Sequence, residues 1–216
     1  MLLSELDSFQ EYMMHKMSSE FSEAEKSILQ AAKEFEDDGV PDMDTLGYIW
    51  CLHGELCGDL GQFDKLRESF CLALGKSNNS PLVRLDYIRA LIYNSIDFEF
   101  SFKLADELIN EMESVDEISL GEGDLPPNYY LVKVKWYLAY AYCEAADCDN
   151  LVQILESLLC ISPSNIDSEV DCFFRKFEEK IECLSCSKCV ILMLSKIMKL
   201  YRRPMPGFSG GGLTVS

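Results

Sequence analysis

Residues Trp50–Ala73 read WCLHGELCGDLGQFDKLRESFCLA, and the order of large and small side chains in this stretch decides the fold. Trp50 is large enough to fill a groove between two antiparallel helices, while Gly54, one turn on, removes the side chain where a second helix would approach. Gly61 suits the left-handed backbone that ends a helix, a conformation costing other residues about 1 kcal/mol or more. Phe63 follows the turn. Phe70 and Ala73 then place a large and a small surface on one face of the second helix. A single pair of this kind leaves an apolar face uncovered, so the stretch predicts neighbours packed against it.

Outward from this pair, helical spacing dominates and no segment alternates like a half-buried strand. Helices are predicted near 3–18, 22–37, 43–59, 62–76, 81–95, 99–114, 127–146, 148–160, 166–182 and 184–202. Asp42 or Asp44 can cap the third, Ser80-Pro81 opens the fifth and Pro126-Pro127 the seventh. The fold class expected is all-α. Short links place successive helices antiparallel. Residues 113–126 form an acidic, Gly- and Ser-containing loop, in which Ser114 and Ser119 either accept acid-directed phosphorylation or are merely solvated. One domain over 1–203 is expected, followed by a disordered tail over 204–216, where Pro204, Pro206 and a Gly triplet stop the helix.

The spacing of Trp50, Gly54, Gly61, Phe63, Phe70 and Ala73 resembles the tetratricopeptide repeat, a helix-turn-helix unit of about 34 residues. Val132–Pro163 is similar, with Ala139, Tyr142, Ala146, Leu151, Leu155 and Leu158 at matching places. Pro81–Met112 gives a degenerate unit between them, in which Ala90 to Ala105 is three residues longer than the family spacing. The resemblance covers about 47–163. It implies a right-handed α-solenoid of tetratricopeptide-like repeats, with extra helices at both ends, and a concave face that binds another protein. Carried over repeat by repeat, that face holds Tyr48, Glu55 and Asp59, then Arg84, Tyr87 and Asn94, then Trp136, Tyr140 and Glu144. Some of these, Trp136 above all, can equally be groove-filling core residues. The members that clamp the carboxylate tails of heat-shock chaperones use Lys and Asn on the first helix. Cys51 and Glu55 stand at those places here, which disfavours that role.

The charge bears on the partner. A net charge of −18 is the sum of an acidic body of −22 and a basic end, 176–216, of +4. Such a body repels nucleic acid and anionic membrane and attracts basic polypeptide, although acidity also serves solubility alone. The stretches ALIYNSIDFEF and KWYLAYAYC resemble acidic tetratricopeptide proteins of ribosome assembly, which implies an escort for a basic client such as a ribosomal protein. A scaffold or adaptor subunit of a larger complex is the alternative.

Ten cysteines with no secretory signal at Met1 point to a reducing cytosolic or nuclear compartment. Cys183, Cys186 and Cys189 have C-x2-C-x2-C spacing, yet on a helix they cover one face and read as a buried stripe rather than a metal site. His53 and Cys57 stand four residues apart, as a base and a nucleophile would, but the sequence offers no third group to orient them. No catalytic residue, cofactor or metal is expected. No apolar run reaches the roughly 18 residues of a membrane span, and the oligomeric state stays open. The basic amphipathic helix near 184–202 either caps the solenoid or presents its apolar face to a partner.

Overall fold

The computed structural model describes residues 2–37, 42–115, 125–161 and 184–201. The helix expected over 166–182, Ser119, Cys183 and the tail 204–216 lie outside the described residues. Among those described, the protein is all-helical, with nine α-helices and no strand: α1 Asp7–Met17, α2 Phe21–Asp37, α3 Met43–Asp59, α4 Phe63–Lys76, α5 Pro81–Tyr93, α6 Phe98–Ser114, α7 Pro127–Glu144, α8 Cys148–Leu159 and α9 Ser187–Tyr201. The first expected helix begins later than its sequence suggests, because Leu3–Glu5 forms a separate 3-10 turn. The chain divides into two compact units, Met1–Tyr137 and Leu138–Ser216.

In the first unit, α1 packs on α2, α3 on α4 and α5 on α6, while α2 meets α3 and α5 meets both α3 and α4. Helix α2 buries Ala24, Ile28, Ala31, Ala32 and Phe35, an apolar stripe at helical spacing. Leu46, Ile49 and Leu56 of α3 complete that core together with Tyr12, and Trp50 packs against its edge. The Asp42 carboxylate accepts hydrogen bonds from the Asp44 and Thr45 amides, so α3 starts with a capped end. Gly61, at φ +69°, makes the turn between α3 and α4 in the left-handed region.

The close contact between α3 and α4 depends on glycine. A Cβ on Gly54 would lie 2.7 Å from the Phe70 ring, and one on Gly47 would lie 2.7 Å from Ser77 Cβ. Phe70 also stacks on Tyr87 of α5, with centroids 4.7 Å apart and planes 8° from parallel. The large residue of α4 therefore joins one helical pair to the next, as its place in the sequence implies. Between α5 and α6 the link is Asn94–Asp97, one residue longer than Leu60–Gln62 between α3 and α4, with Ser95 and Asp97 both at positive φ. The extra length expected around SIDFEF is in part this turn.

In the second unit, α8 buries Leu151, Leu155 and Leu158, and α9 packs on it through Val190, Leu194 and Ile197. Both sets repeat at helical spacing, and Ile191 and Leu192 on α9 remain exposed. The buried thiol stripe is a correction: Cys189 is exposed and Cys186 half-buried. The face of α9 that packs is the Val190–Leu194–Ile197 face, and Cys189 is rotated off it.

Candidate protein-binding surface

Two clefts lie on the surface formed by α3 and α5 of the first unit. One, of about 350 Å³, is lined by Glu55, Asp59, Arg89, Ala90, Tyr93 and Asn94. The other, of about 300 Å³, is lined in part by Asp44, Tyr48, Cys51, Asp86, Leu125 and Tyr130. Helical spacing explains the composition. Tyr48, Cys51, Glu55 and Asp59 fall at i, i+3, i+7 and i+11 on α3, and Asp86, Arg89 and Tyr93 at i, i+3 and i+7 on α5, so each set shares a face.

The electrostatics are less open than the acid count suggests. Arg89 is the central cation: its Nη2 donates to Glu55 Oε1 and lies 3.2 Å from Asp86 Oδ1. Lys16 Nζ of α1 comes within 3.8 Å of the other Glu55 oxygen. Glu55 is thus held by two internal cations. Asp44 and Asp59 are exposed and have no ion-pair partner among the described residues, so they are the carboxylates presented outward. Burial, followed by Glu55 and Asp86, raises the Tyr48 hydroxyl above its ordinary pKa and keeps it a hydrogen-bond donor. Burial does the same to the Cys51 thiol, which makes it a poor nucleophile.

Of the residues assigned to the concave face, Tyr48, Glu55, Asp59 and Asn94 line these clefts. Arg84 and Tyr87 do not. Tyr87 is 2% exposed, stacks on Phe70 and meets Phe100 edge-on at 5.8 Å. Arg84 is 5% exposed and donates from Nη2 to Glu111 Oε2 of α6 at 2.5 Å. Arg84 and Tyr87 therefore lie on the side of α5 that faces α4 and α6, whereas Asn94, just past its end, does reach a cleft. Two residues rotate a helix by about 200°, so Asp86 and Arg89, two places on from Arg84 and Tyr87, face the clefts instead. Tyr93 lines the cleft beside Asn94. The i, i+3, i+7 spacing of Asp86, Arg89 and Tyr93 on a helix otherwise rich in buried apolar residues was the signal that could have found them.

On α7, Trp136 is 2% exposed and belongs to the core, as the groove-filling reading allowed. Tyr140 is half-buried and Glu144 exposed. None of the three is among the residues lining the two clefts. No described helix is long and apolar enough to cross a membrane. No family model, no curated protein and no solved structure matches the chain.

Proposed function

We propose that the chain is a non-catalytic protein-binding module, a right-handed stack of tetratricopeptide-like pairs, whose acidic, aromatic α3–α5 surface receives a basic segment of another protein. The observation that carries this reading is the pair of α3–α5 clefts, one lined by Asp44 and Tyr48, the other by Asp59 and Tyr93 beside the internally satisfied Arg89. Aromatic faces beside carboxylates suit Lys and Arg through cation–π packing and charge-assisted hydrogen bonds. The succession of α1–α2, α3–α4 and α5–α6 pairs supports the repeat architecture, and the net charge of −18 supports a basic client over nucleic acid. The most concrete form is a cytosolic or nuclear escort that shields a basic protein, such as a ribosomal protein, before assembly.

The test is fluorescence anisotropy of a labelled Lys/Arg-rich peptide titrated with the full chain. Binding is expected to weaken steeply with added salt and to weaken further in D44K and D59K, the carboxylates not engaged internally. Affinity indifferent to both salt and charge reversal overturns the reading. A scaffold role in a larger complex is the second reading, favoured by the exposed Ile191 and Leu192 on α9. Its signature is a salt-tolerant interface lost in I191S/L192S.

A further inference from the structure

A second cluster lies between α2, α3 and α4, away from the acidic clefts. Glu25 of α2 and His53 and Cys57 of α3 bring a carboxylate oxygen, an imidazole nitrogen and a thiol sulfur to within 4.8 Å of one another. His53 Nε2 is 3.7 Å from Glu25 Oε1 and 3.7 Å from Cys57 Sγ. Cys57 is fully buried, the His53 side chain is 8% exposed, and Glu25 keeps 19% of its side chain at the surface, which leaves a way in. The sequence suggested no third group for the His53–Cys57 pair. The fold supplies two, Glu25 and Ser69.

Ser69 settles the orientation of the ring. Its hydroxyl has one proton and donates it to the Lys65 carbonyl at 2.6 Å. The 2.7 Å contact with His53 Nδ1 must then run from the ring N–H to the Ser69 oxygen. The proton is fixed on Nδ1, which leaves Nε2 unprotonated 3.7 Å from Glu25 Oε1, while Cys57 Sγ lies beside the ring, 3.7 Å from Nε2 and 4.0 Å from Nδ1. A ring nitrogen held by an outer hydrogen bond while the other is left unprotonated is the state in which histidine binds a metal. Desolvation on burial also lowers the His53 pKa and favours the neutral ring.

We propose that Glu25, His53 and Cys57 bind a zinc-like divalent ion, a site independent of the partner-binding surface. Three donors with separations of 3.7, 3.7 and at most 4.8 Å have a common centre within about 2.4 Å of each, against roughly 2.0–2.3 Å for zinc bonds to these atom types. Ligation also requires the Cys57 side chain to turn, bringing its sulfur from beside the ring to the Nε2 lone pair. The set mixes oxygen, nitrogen and sulfur, which selects zinc and its neighbours over calcium and magnesium. Three protein ligands leave one tetrahedral position for water. Lys65, whose Nζ lies 2.7 Å from Glu25 Oε1, neutralises the carboxylate without metal and is exposed enough to swing out when the ion arrives. Binding converts Cys57 from thiol to thiolate and releases one proton to solvent for each ion taken up.

The probe is Co²⁺, which reports thiolate ligation by its charge-transfer absorption, followed by displacement with Zn²⁺. The full chain carries C148S, C183S, C186S and C189S so that these other cysteines contribute nothing. One Co²⁺ per chain with a thiolate band is expected, with the band absent when C57S is added and affinity reduced at least about tenfold by E25Q. Failure to take up the metal, or a thiolate band that survives C57S, overturns the proposal. Should the four-serine chain fail to fold, the same comparison is made between the wild-type chain and C57S alone, where loss of one equivalent supports the site and an unchanged stoichiometry overturns it. Helical circular dichroism of C57S and E25Q at the wild-type level separates lost ligation from lost structure.

Discussion

The ring of Phe70 lies against Gly54 on one side and stacks on Tyr87 on the other. A Cβ added at Gly54 would sit 2.7 Å from Phe70 Cε2, and the Tyr87 ring, 4.7 Å from that of Phe70 by centroid, prevents the phenyl group from yielding. Gly54→Ala therefore forces strain into the α3–α4 contact instead of profiting from the higher helix propensity of alanine. The expected cost is about 1–3 kcal/mol, read as a lower urea midpoint, with part of the loss recovered in Gly54→Ala/Phe70→Leu. Gly75, exposed in the last turn of α4 with nothing within 4 Å of its would-be Cβ, is the control. There the same substitution is expected to stabilise by about 0.5–1 kcal/mol.

This contact also shows why part of the fold was readable from sequence. A glycine facing an aromatic across a helical pair constrains both residues at once, so Trp50–Ala73 announced its own geometry. Helix α5 has no such constraint. It buries Val83, Arg84, Leu85, Tyr87, Ile88, Ala90, Leu91 and Ile92, so nearly every face is core and its boundaries say little about its rotation. Hence its ends were found while Arg84 and Tyr87 were placed on the wrong side. The Glu25–His53–Cys57 cluster was hidden for a different reason: two of its members are local, but the third comes from another helix, and only packing brings it near.

Arg84 offers a test in which removing the charge costs less than stranding it. Its side chain is 6% exposed and its ion pair with Glu111, 44% exposed, is the visible compensation for that burial. Glu111→Ala leaves the guanidinium without its carboxylate, whereas Arg84→Met keeps the volume and removes the charge. With the solvent-facing side of Glu111 reducing the effect, Glu111→Ala is expected to cost about 1–3 kcal/mol and Arg84→Met less. Denaturant midpoints for the two variants and their combination give the order; a larger loss in Arg84→Met would place the importance of the site in guanidinium contacts.

The cap of α3 gives a pH dependence of known sign. A hydrogen bond from the Thr45 hydroxyl, 2.5 Å from Asp42 Oδ2, is the main cause of a lowered Asp42 pKa, and the Asp44 and Thr45 amides act in the same direction. The folded protein therefore holds this proton less readily than the unfolded chain. The stability it contributes is present above the ordinary aspartate pKa of about 3.9 and is lost as pH falls through the depressed value. Asp42→Asn keeps an acceptor at the cap but no titration, so its stability is expected to fall less than that of wild type between about pH 5 and pH 3. Asp42→Ala is expected to cost about 1 kcal/mol at neutral pH. Parallel acid-side denaturation curves for wild type and Asp42→Asn would remove the cap from the explanation.

Cys148 and Cys186 supply the last prediction, within the second unit. Their sulfurs are 2.6 Å apart, with Cys148 at the first position of α8 and the Ser185 hydroxyl 3.5 Å from its sulfur. The hydrogen bond from Cys186 lowers the Cys148 pKa, while burial leads the causes that push Cys186 up to about 11. Cys148 is thus the more acidic thiol of the pair and Cys186 its neighbour, the division of labour that favours oxidation at one sulfur and resolution by the other. Hydrogen peroxide is expected to oxidise Cys148 to a sulfenic acid, which Cys186 attacks to give a disulfide and water. Peptide mass spectrometry should find a Cys148–Cys186 cross-link lighter than the reduced pair by two hydrogens and reversed by a thiol reductant. Cys186→Ser should instead leave Cys148 trapped as sulfenic acid, detectable with dimedone. A cross-link joining Cys148 to Cys189 in wild type, or none at peroxide levels that oxidise exposed Cys71 and Cys160, would show that proximity here confers no special reactivity.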